Sequence, residues 1–391
     1  MSTHDSNNRH PILFDPRRAA DMMDCHNLDL LLACRRENVG YLSSCFVHCW
    51  QWGGFAHVLA LEDAGDLAFY LAGIQREPLA APFVICHHSR AYCWERSWIR
   101  DVRPTSRFGE APDPVESLVA AIDERGLGGS RIGIEMDHVP AVLWEALRRR
   151  LPHATFVDAT DVLWHLRMVK TPEELRRLKC AYEVACAVYR RLFERIRPGV
   201  SLRELYECEW QTVTEHGCFL PLQHLSFGKV DDQHHTEPDY RVERGDVGFL
   251  DLQVVYEGYM TDFGRVAVVG PVPPEVRQLH RFMLEERRCV REILRPGLRA
   301  CQAAATLIRF DRAHGQTPLP GAGHGLGLEC HEWPFLRPHF ATPIDEGSVV
   351  VIEICRATGG AVLLVEDSGL VTSAGWQPLI DFSTDIVEVA V

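Results

Sequence analysis

Asp251-Leu252-Gln253-Val254-Val255-Tyr256-Glu257-Gly258-Tyr259-Met260-Thr261-Asp262 is the stretch from which the fold of this chain is read. Val247 to Val255 and Tyr259 to Val269 are rich in β-branched and aromatic residues, and Tyr256-Glu257-Gly258 between them supplies a turn, so the spacing predicts a hairpin. Asp251 and Asp262 would then stand opposite, or nearly opposite, each other on neighbouring strands. Two carboxylates so placed on an apolar scaffold repel, and burying them is costly unless a cation neutralises them. Two solvated turn aspartates are the ordinary alternative.

The residues downstream favour the cation. His324 lies in Gly321-Ala322-Gly323-His324-Gly325-Leu326-Gly327, where small residues allow close approach, and His331 follows within reach of the same cavity. Glu353 lies within Val349-Val350-Val351-Ile352-Glu353-Ile354, and Glu366 within Val362-Leu363-Leu364-Val365-Glu366. A glutamate inside so apolar a strand needs a partner. Four carboxylates and one imidazole form a hard, oxygen-rich set suited to one or two ions such as Mn²⁺, Co²⁺, Fe²⁺ or Zn²⁺. The GxGxG in the histidine segment follows no clear strand and opens no clear helix, so it does not read as a nucleotide loop. Asp262-Phe263-Gly264 spells the kinase triplet without the other kinase motifs.

Working outward, the 391 residues are enough for two domains. A formal charge of −13 argues against nucleic acid or an anionic membrane as a partner. The 14 cysteines include no CxxC pair and scatter through apolar stretches, which predicts reduced, buried thiols. With a polar Met1–His10 and no apolar run of transmembrane length, the expectation is a cytoplasmic protein.

The first part alternates helix and strand patterns. Helices are expected over Arg17–Cys25, Pro114–Glu124 and Val139–Arg150, and strands over Leu28–Ala33, Ala56–Leu61, Leu67–Leu71 and Ile132–Glu135. That alternation predicts a mostly parallel sheet with helices packed on it. A boundary falls near residue 170, giving domains 1–168 and 169–391. There Thr171 can cap, Pro172 fits a first turn, and Glu173 and Glu174 favour the positive helix end. Long helices are expected from Pro172 to about Ile196, from Ser201 to about His216, from Pro274 to Leu294 and from Ala300 to His314. Strands Val349–Cys355 and Ala361–Leu370 carry Glu353 and Glu366.

Taken together, these residues resemble the metallopeptidase family of the pita-bread fold, which includes methionine aminopeptidase, Xaa-Pro aminopeptidase, prolidase and non-peptidase relatives such as creatinase. The resemblance covers nearly the whole chain, including Phe156-Val157-Asp158-Ala159 and Lys170-Thr171-Pro172-Glu173-Glu174-Leu175. It implies an α/β creatinase/prolidase-like N-terminal domain and an α+β pita-bread catalytic domain. It further implies two divalent metals (Mn, Co, Zn or Fe). Asp251 would chelate one metal, Asp262 and Glu366 would bridge, and His324 and Glu353 would complete the second site. Glu353 would also exchange a proton with the attacking water, and His331 would hydrogen-bond the substrate carbonyl or the tetrahedral intermediate. His234 and His235 both fit the family's substrate-side histidine. The implied activity is Xaa-Pro peptidase-like amide hydrolysis on a small peptide, in a homodimer. In such dimers the N-terminal domain often packs at the partner's site, where Phe46 to Trp52 would line an entrance if it were not ordinary packing; His87 and His88 read as surface residues.

The chain departs from the peptidases of this family at three places. Glu353-Ile354-Cys355 replaces Glu-Pro-Gly, Leu364 stands where an arginine is usual, and Gln253 stands where glycine is frequent. Arg356 or Arg265 are candidates to replace the missing charge. These departures raise the alternative of a small-molecule amide hydrolase, similar to ectoine hydrolase. The complete ligand set argues against creatinase's metal-free mode, and Gln253 lacks the added aspartate of the dimethylsulfoniopropionate lyase. A non-catalytic binding module of this fold would have no reason to keep all five ligands.

Overall fold

The computed structural model describes residues 9–46, 70–106 and 109–391. The chain forms two compact units, Met1–Arg167 and Met168–Val391. The first is built on a six-stranded sheet in the order β4-β3-β2-β1-β5-β6, where β1 is Leu30–Ala33, β2 Leu71–Gln75, β3 Phe83–His87, β4 Asp101–Thr105, β5 Arg131–Ile134 and β6 Thr155–Asp158. The helices Pro16–Cys25, Pro114–Asp123 and Ala141–Arg150 lie within a residue or two of their expected spans. The side chains of Asp15 and Asp113 cap the first two, and both of those helices begin on proline.

The sheet is mixed rather than mostly parallel. β1–β5, β5–β6 and β3–β4 are parallel, whereas β1–β2 and β2–β3 are antiparallel. A connection of only a few residues between β2 and β3 is too short for a parallel crossover. The strand expected over Ala56–Leu61 lies outside the described residues, as does most of Leu67–Leu71, and β3 and β4 were not anticipated.

In the second unit, Thr171 and Glu174 form a reciprocal capping box at the start of the Pro172–Arg195 helix, and Ser201 and Glu204 repeat it at Leu202–Glu215. The strands are β7 (Gln223–Gly228), β8 (Val247–Leu252), β9 (Val255–Tyr256), β10 (Tyr259–Met260), β11 (Gly264–Val269), β12 (Gly323–Gly325), β13 (Val349–Thr358), β14 (Ala361–Thr372), β15 (Gly375–Pro378) and β16 (Val387–Val389). The main sheet runs β12-β13-β14-β11-β8-β7, with β15 on β14 and β16 on β11. On β13, Val350, Ile352 and Ile354 enter an apolar core with Val276, Met283 and Leu307 from the Pro274–Arg291 and Ala300–Ala313 helices. The alternation of a strand therefore turns Glu353 to the other face.

The hairpin differs from its expectation in one respect. β8 pairs with β11, but Asp262 sits between β10 and β11 and belongs to neither strand. Its backbone N–H and C=O are both taken by the Tyr182 hydroxyl, at 3.1 and 2.9 Å, instead of by a strand neighbour. Thr261 Oγ1 holds the same break by accepting from Val254 N and donating to Leu252 O. The residue opposite Asp251 is consequently Gly264.

Candidate metal centre

Register builds the site. Glu353 pairs with Glu366, Glu366 with Gly264, Gly264 with Asp251, and Asp251 with His224, forming one row across β13, β14, β11, β8 and β7. Cross-strand partners project to the same face, so the row gathers three carboxylates from residues far apart in the chain. The break after β10 adds Asp262, and β12, paired with β13, adds His324.

Six expected residues come together. The sets Asp251/Asp262/Glu366, His324/Glu353/Glu366 and Asp262/His324/His331 each have ligating atoms within 4.8 Å of one another, and the shared members join them into one cluster. His324 Nε2 lies 3.4 Å from Asp262, 3.8 Å from Glu353 and 4.0 Å from Glu366. The His324, Asp262 and Glu366 side chains are almost wholly buried, while Glu353 is 39% exposed and opens the cluster to one side. His324 Nδ1 donates to Gly325 O at 2.9 Å, leaving the Nε2 lone pair for the cluster.

The electrostatics fit a cation. Burial pushes the Asp262 and Glu366 carboxyls well above the usual range, and their charged neighbours push them further. Hydrogen bonds from Cys330, at 3.0 Å, and Gln253 oppose this at Asp262 without cancelling it. Burial drives the His324 imidazole down to about 3, so it is a neutral donor. Asp251 Oδ1 and His324 Nε2 are buried and have no hydrogen-bond partner. Orphaned acceptors, crowded carboxylates and a neutral imidazole are the donor chemistry of a divalent-ion site, and the residues present fit it.

His331 lies on the more exposed side, its ring 4.2 Å from that of His324, and burial lowers its basicity. Its neighbour Glu332 is buried, accepts from Leu328 N and Glu329 N, and pairs with Lys170 Nζ at 3.1 Å, which ties down the loop that carries the histidine.

His234 and His235 join none of these sets. His234 Nδ1 donates to Ser226 Oγ and its Nε2 accepts from Val362 N. His235 stacks on Tyr240 at 4.1 Å and pairs with Glu237. A histidine does lie against Asp251: His224, whose Nδ1 donates to Asp251 Oδ2 at 3.2 Å. No local motif marks His224, and its only sequence signal is its place on the strand that pairs with β8.

The two candidate replacement arginines are engaged elsewhere. Arg265 is buried, donates to Asp367 Oδ1 and to the Glu366, Ser383 and Phe382 carbonyls, and stacks on Phe263. Arg356 pairs with Glu286 and Asp311. Leu364 is buried against Gly264, so its position is dry and apolar. Arg337, an exposed residue, lies near enough for its charge to act on His324, His331 and Glu353. Val47 to Trp52 lie outside the described residues. His87 is half-buried and His88 exposed, and neither belongs to a ligand set. The 13 described cysteines are all free thiols. Among the described residues, no helix is long and apolar enough to cross a membrane.

Residues 176–387 match the model of metallopeptidase family M24, and residues 17–169 match that of the creatinase/prolidase N-terminal domain. An Xaa-Pro dipeptidase of Pyrococcus horikoshii is 26% identical over 330 residues, covering 82% of this chain and 91% of that enzyme. An Xaa-Pro dipeptidase of Lactobacillus delbrueckii is 25% identical over 324 residues, covering 78% and 85%. The solved X-Pro aminopeptidase of Thermotoga maritima shares the fold at a TM-score of 0.78 with 21% identity, covering 96% of this chain and 99% of that one.

Proposed function

This chain belongs to metallopeptidase family M24 and is a metal-dependent hydrolase, and from that premise we propose that it cleaves the amide bond of Xaa-Pro dipeptides. The observation that carries the reading is the convergence of Asp251, Asp262, His324, Glu353 and Glu366 on one cluster. Their shared carboxylates suit two divalent ions, Mn²⁺, Co²⁺, Fe²⁺ or Zn²⁺. When bound, such ions would supply Lewis acidity and a nucleophile made from water near neutral pH.

The protein's own groups do the rest. Glu353, the most exposed of the buried-strand carboxylates, takes a proton from the attacking water and returns it to the leaving nitrogen. His331 donates to the carbonyl oxygen as charge develops on it. The Lys170–Glu332 pair keeps that imidazole in place. Arg337 receives the free carboxylate of the dipeptide, serving where Leu364 and the committed Arg265 and Arg356 cannot. The free thiols suit a reducing, cytoplasmic setting, and a homodimer is the assembly we expect.

The dry Leu364 position favours a second reading, a hydrolase of small acyl or cyclic amides. Metal-loaded enzyme assayed against Xaa-Pro dipeptides, longer Xaa-Pro peptides and small amides, each with a chelator control, separates the two. Turnover confined to dipeptides supports the first. Turnover of small amides alone replaces it with the second, and activity indifferent to chelator overturns both.

A further inference from the structure

The row that holds the carboxylates does not stop at Asp251. Its next member is His224 on β7, the register partner of Asp251. The imidazole packs 4.9 Å from the ring of Phe249, two residues before Asp251 on β8. With its side chain 49% exposed, His224 sits at the rim rather than in the core.

Its hydrogen bond divides the Asp251 carboxylate. Oδ2 accepts from His224 Nδ1, whereas Oδ1 is buried and has no partner. A carboxylate with both oxygens free can turn about its last torsion and offer either or both. A hydrogen bond to one oxygen restricts that rotation, while a further lone pair remains on the same oxygen. We propose that His224 is a positioning residue that fixes the Asp251 carboxylate in the orientation in which a bound metal would meet it. The assignment rests on the metal-centre reading above. It adds an orienting partner to the chelating role that the family resemblance gives Asp251. Partners of this kind around metal ligands typically change metal affinity about 10–100-fold when removed.

The test is a calorimetric Mn²⁺ titration of chelator-stripped wild type, His224→Ala and His224→Asn, with thermal melts of the stripped proteins as a control for folding. Asparagine carries an N–H donor close to the position of Nδ1, so it should restore what alanine loses. We expect His224→Ala to bind Mn²⁺ about 10–100-fold more weakly at one site. His224→Asn should come within a few-fold of wild type, and the stripped melts should coincide. Wild-type affinity in His224→Ala, or equal losses in both variants, overturns the role of His224 and leaves the metal centre standing. Failure of wild type itself to take up Mn²⁺ or any of the other candidate ions removes the metal centre, and this inference with it.

Discussion

Asp251 and Glu366 are both register partners of Gly264, one on each side of it, so a single glycine separates two carboxylates of the cluster. A Cβ at that position would lie 2.3 Å from Leu364 Cγ and 3.0 Å from Glu366 Cβ. The Gly264→Ala substitution should therefore overpack the strand, costing about 1–3 kcal/mol. Urea denaturation of Gly264→Ala beside Gly264→Ala/Leu364→Ala checks this. The double variant should be less destabilised than the sum of the two single changes, because Leu364 is the atom group met first.

Asp262→Ala removes a carboxylate common to two of the ligand sets. Stoichiometric metal, measured by elemental analysis after gel filtration, should fall together with activity. Glu353→Gln should lower kcat by about 10²–10⁴-fold if proton exchange is its main task. Full turnover in either variant would sink the two-metal hydrolase reading.

Arg337→Ala should raise KM for dipeptides with a free carboxylate and leave kcat nearly unchanged, as expected when uniform binding is lost. The same dipeptides as C-terminal amides should show little difference between wild type and variant. An equal loss on both series would remove Arg337 from carboxylate recognition.

Glu332→Ala would take away the carboxylate 3.1 Å from the Lys170 ammonium, whose side chain is 1% exposed, and leave Glu174 as a remaining acidic neighbour. The cost should be about 3–5 kcal/mol, whereas a paired replacement by apolar residues should be far milder. Comparing Glu332→Ala with Lys170→Met/Glu332→Leu by chemical denaturation separates the two cases.

Stability should fall as pH rises through neutrality. Burial lifts the Glu174 carboxyl from its usual 4.5 to about 7, against the opposing effects of Lys170, the Thr171 N–H and the Tyr259 hydroxyl, with Glu332 adding to the rise. The folded state then binds more protons than the unfolded state between about 4.5 and 7, so this contribution is complete below the unfolded value and is lost above the folded one. Glu286, also lifted to about 7 by burial, acts in the same direction. Denaturation midpoints at pH 5 and pH 8 should therefore differ less in Glu174→Gln than in wild type, and an unchanged difference would contradict the assignment.

Much of the fold was legible because its signals are local. Thr171-Pro172-Glu173-Glu174 carries its own cap, proline and first-turn charges, so the Pro172–Arg195 helix could be placed within a residue. Glu353 and Glu366 announce themselves by standing in runs of valine, isoleucine and leucine, where a charge needs a partner. The mixed order of the first sheet was not legible, because whether two strands run parallel depends on the path between them. The break at Asp262 was hidden for a related reason: it depends on a tyrosine hydroxyl from a helix 80 residues earlier in the chain.

The sequence by itself determined which residues carry charge into apolar strands, where the long helices of the second unit begin and which family the chain resembles. These follow from neighbours along the chain, through capping, alternation and the cost of burying an unpaired charge. Tertiary structure alone decided that His224 lies against Asp251, and that Arg265 and Arg356 are committed elsewhere. Cross-strand register and ion pairing join residues distant in sequence, and a contact of that kind leaves no mark on the residues beside either partner.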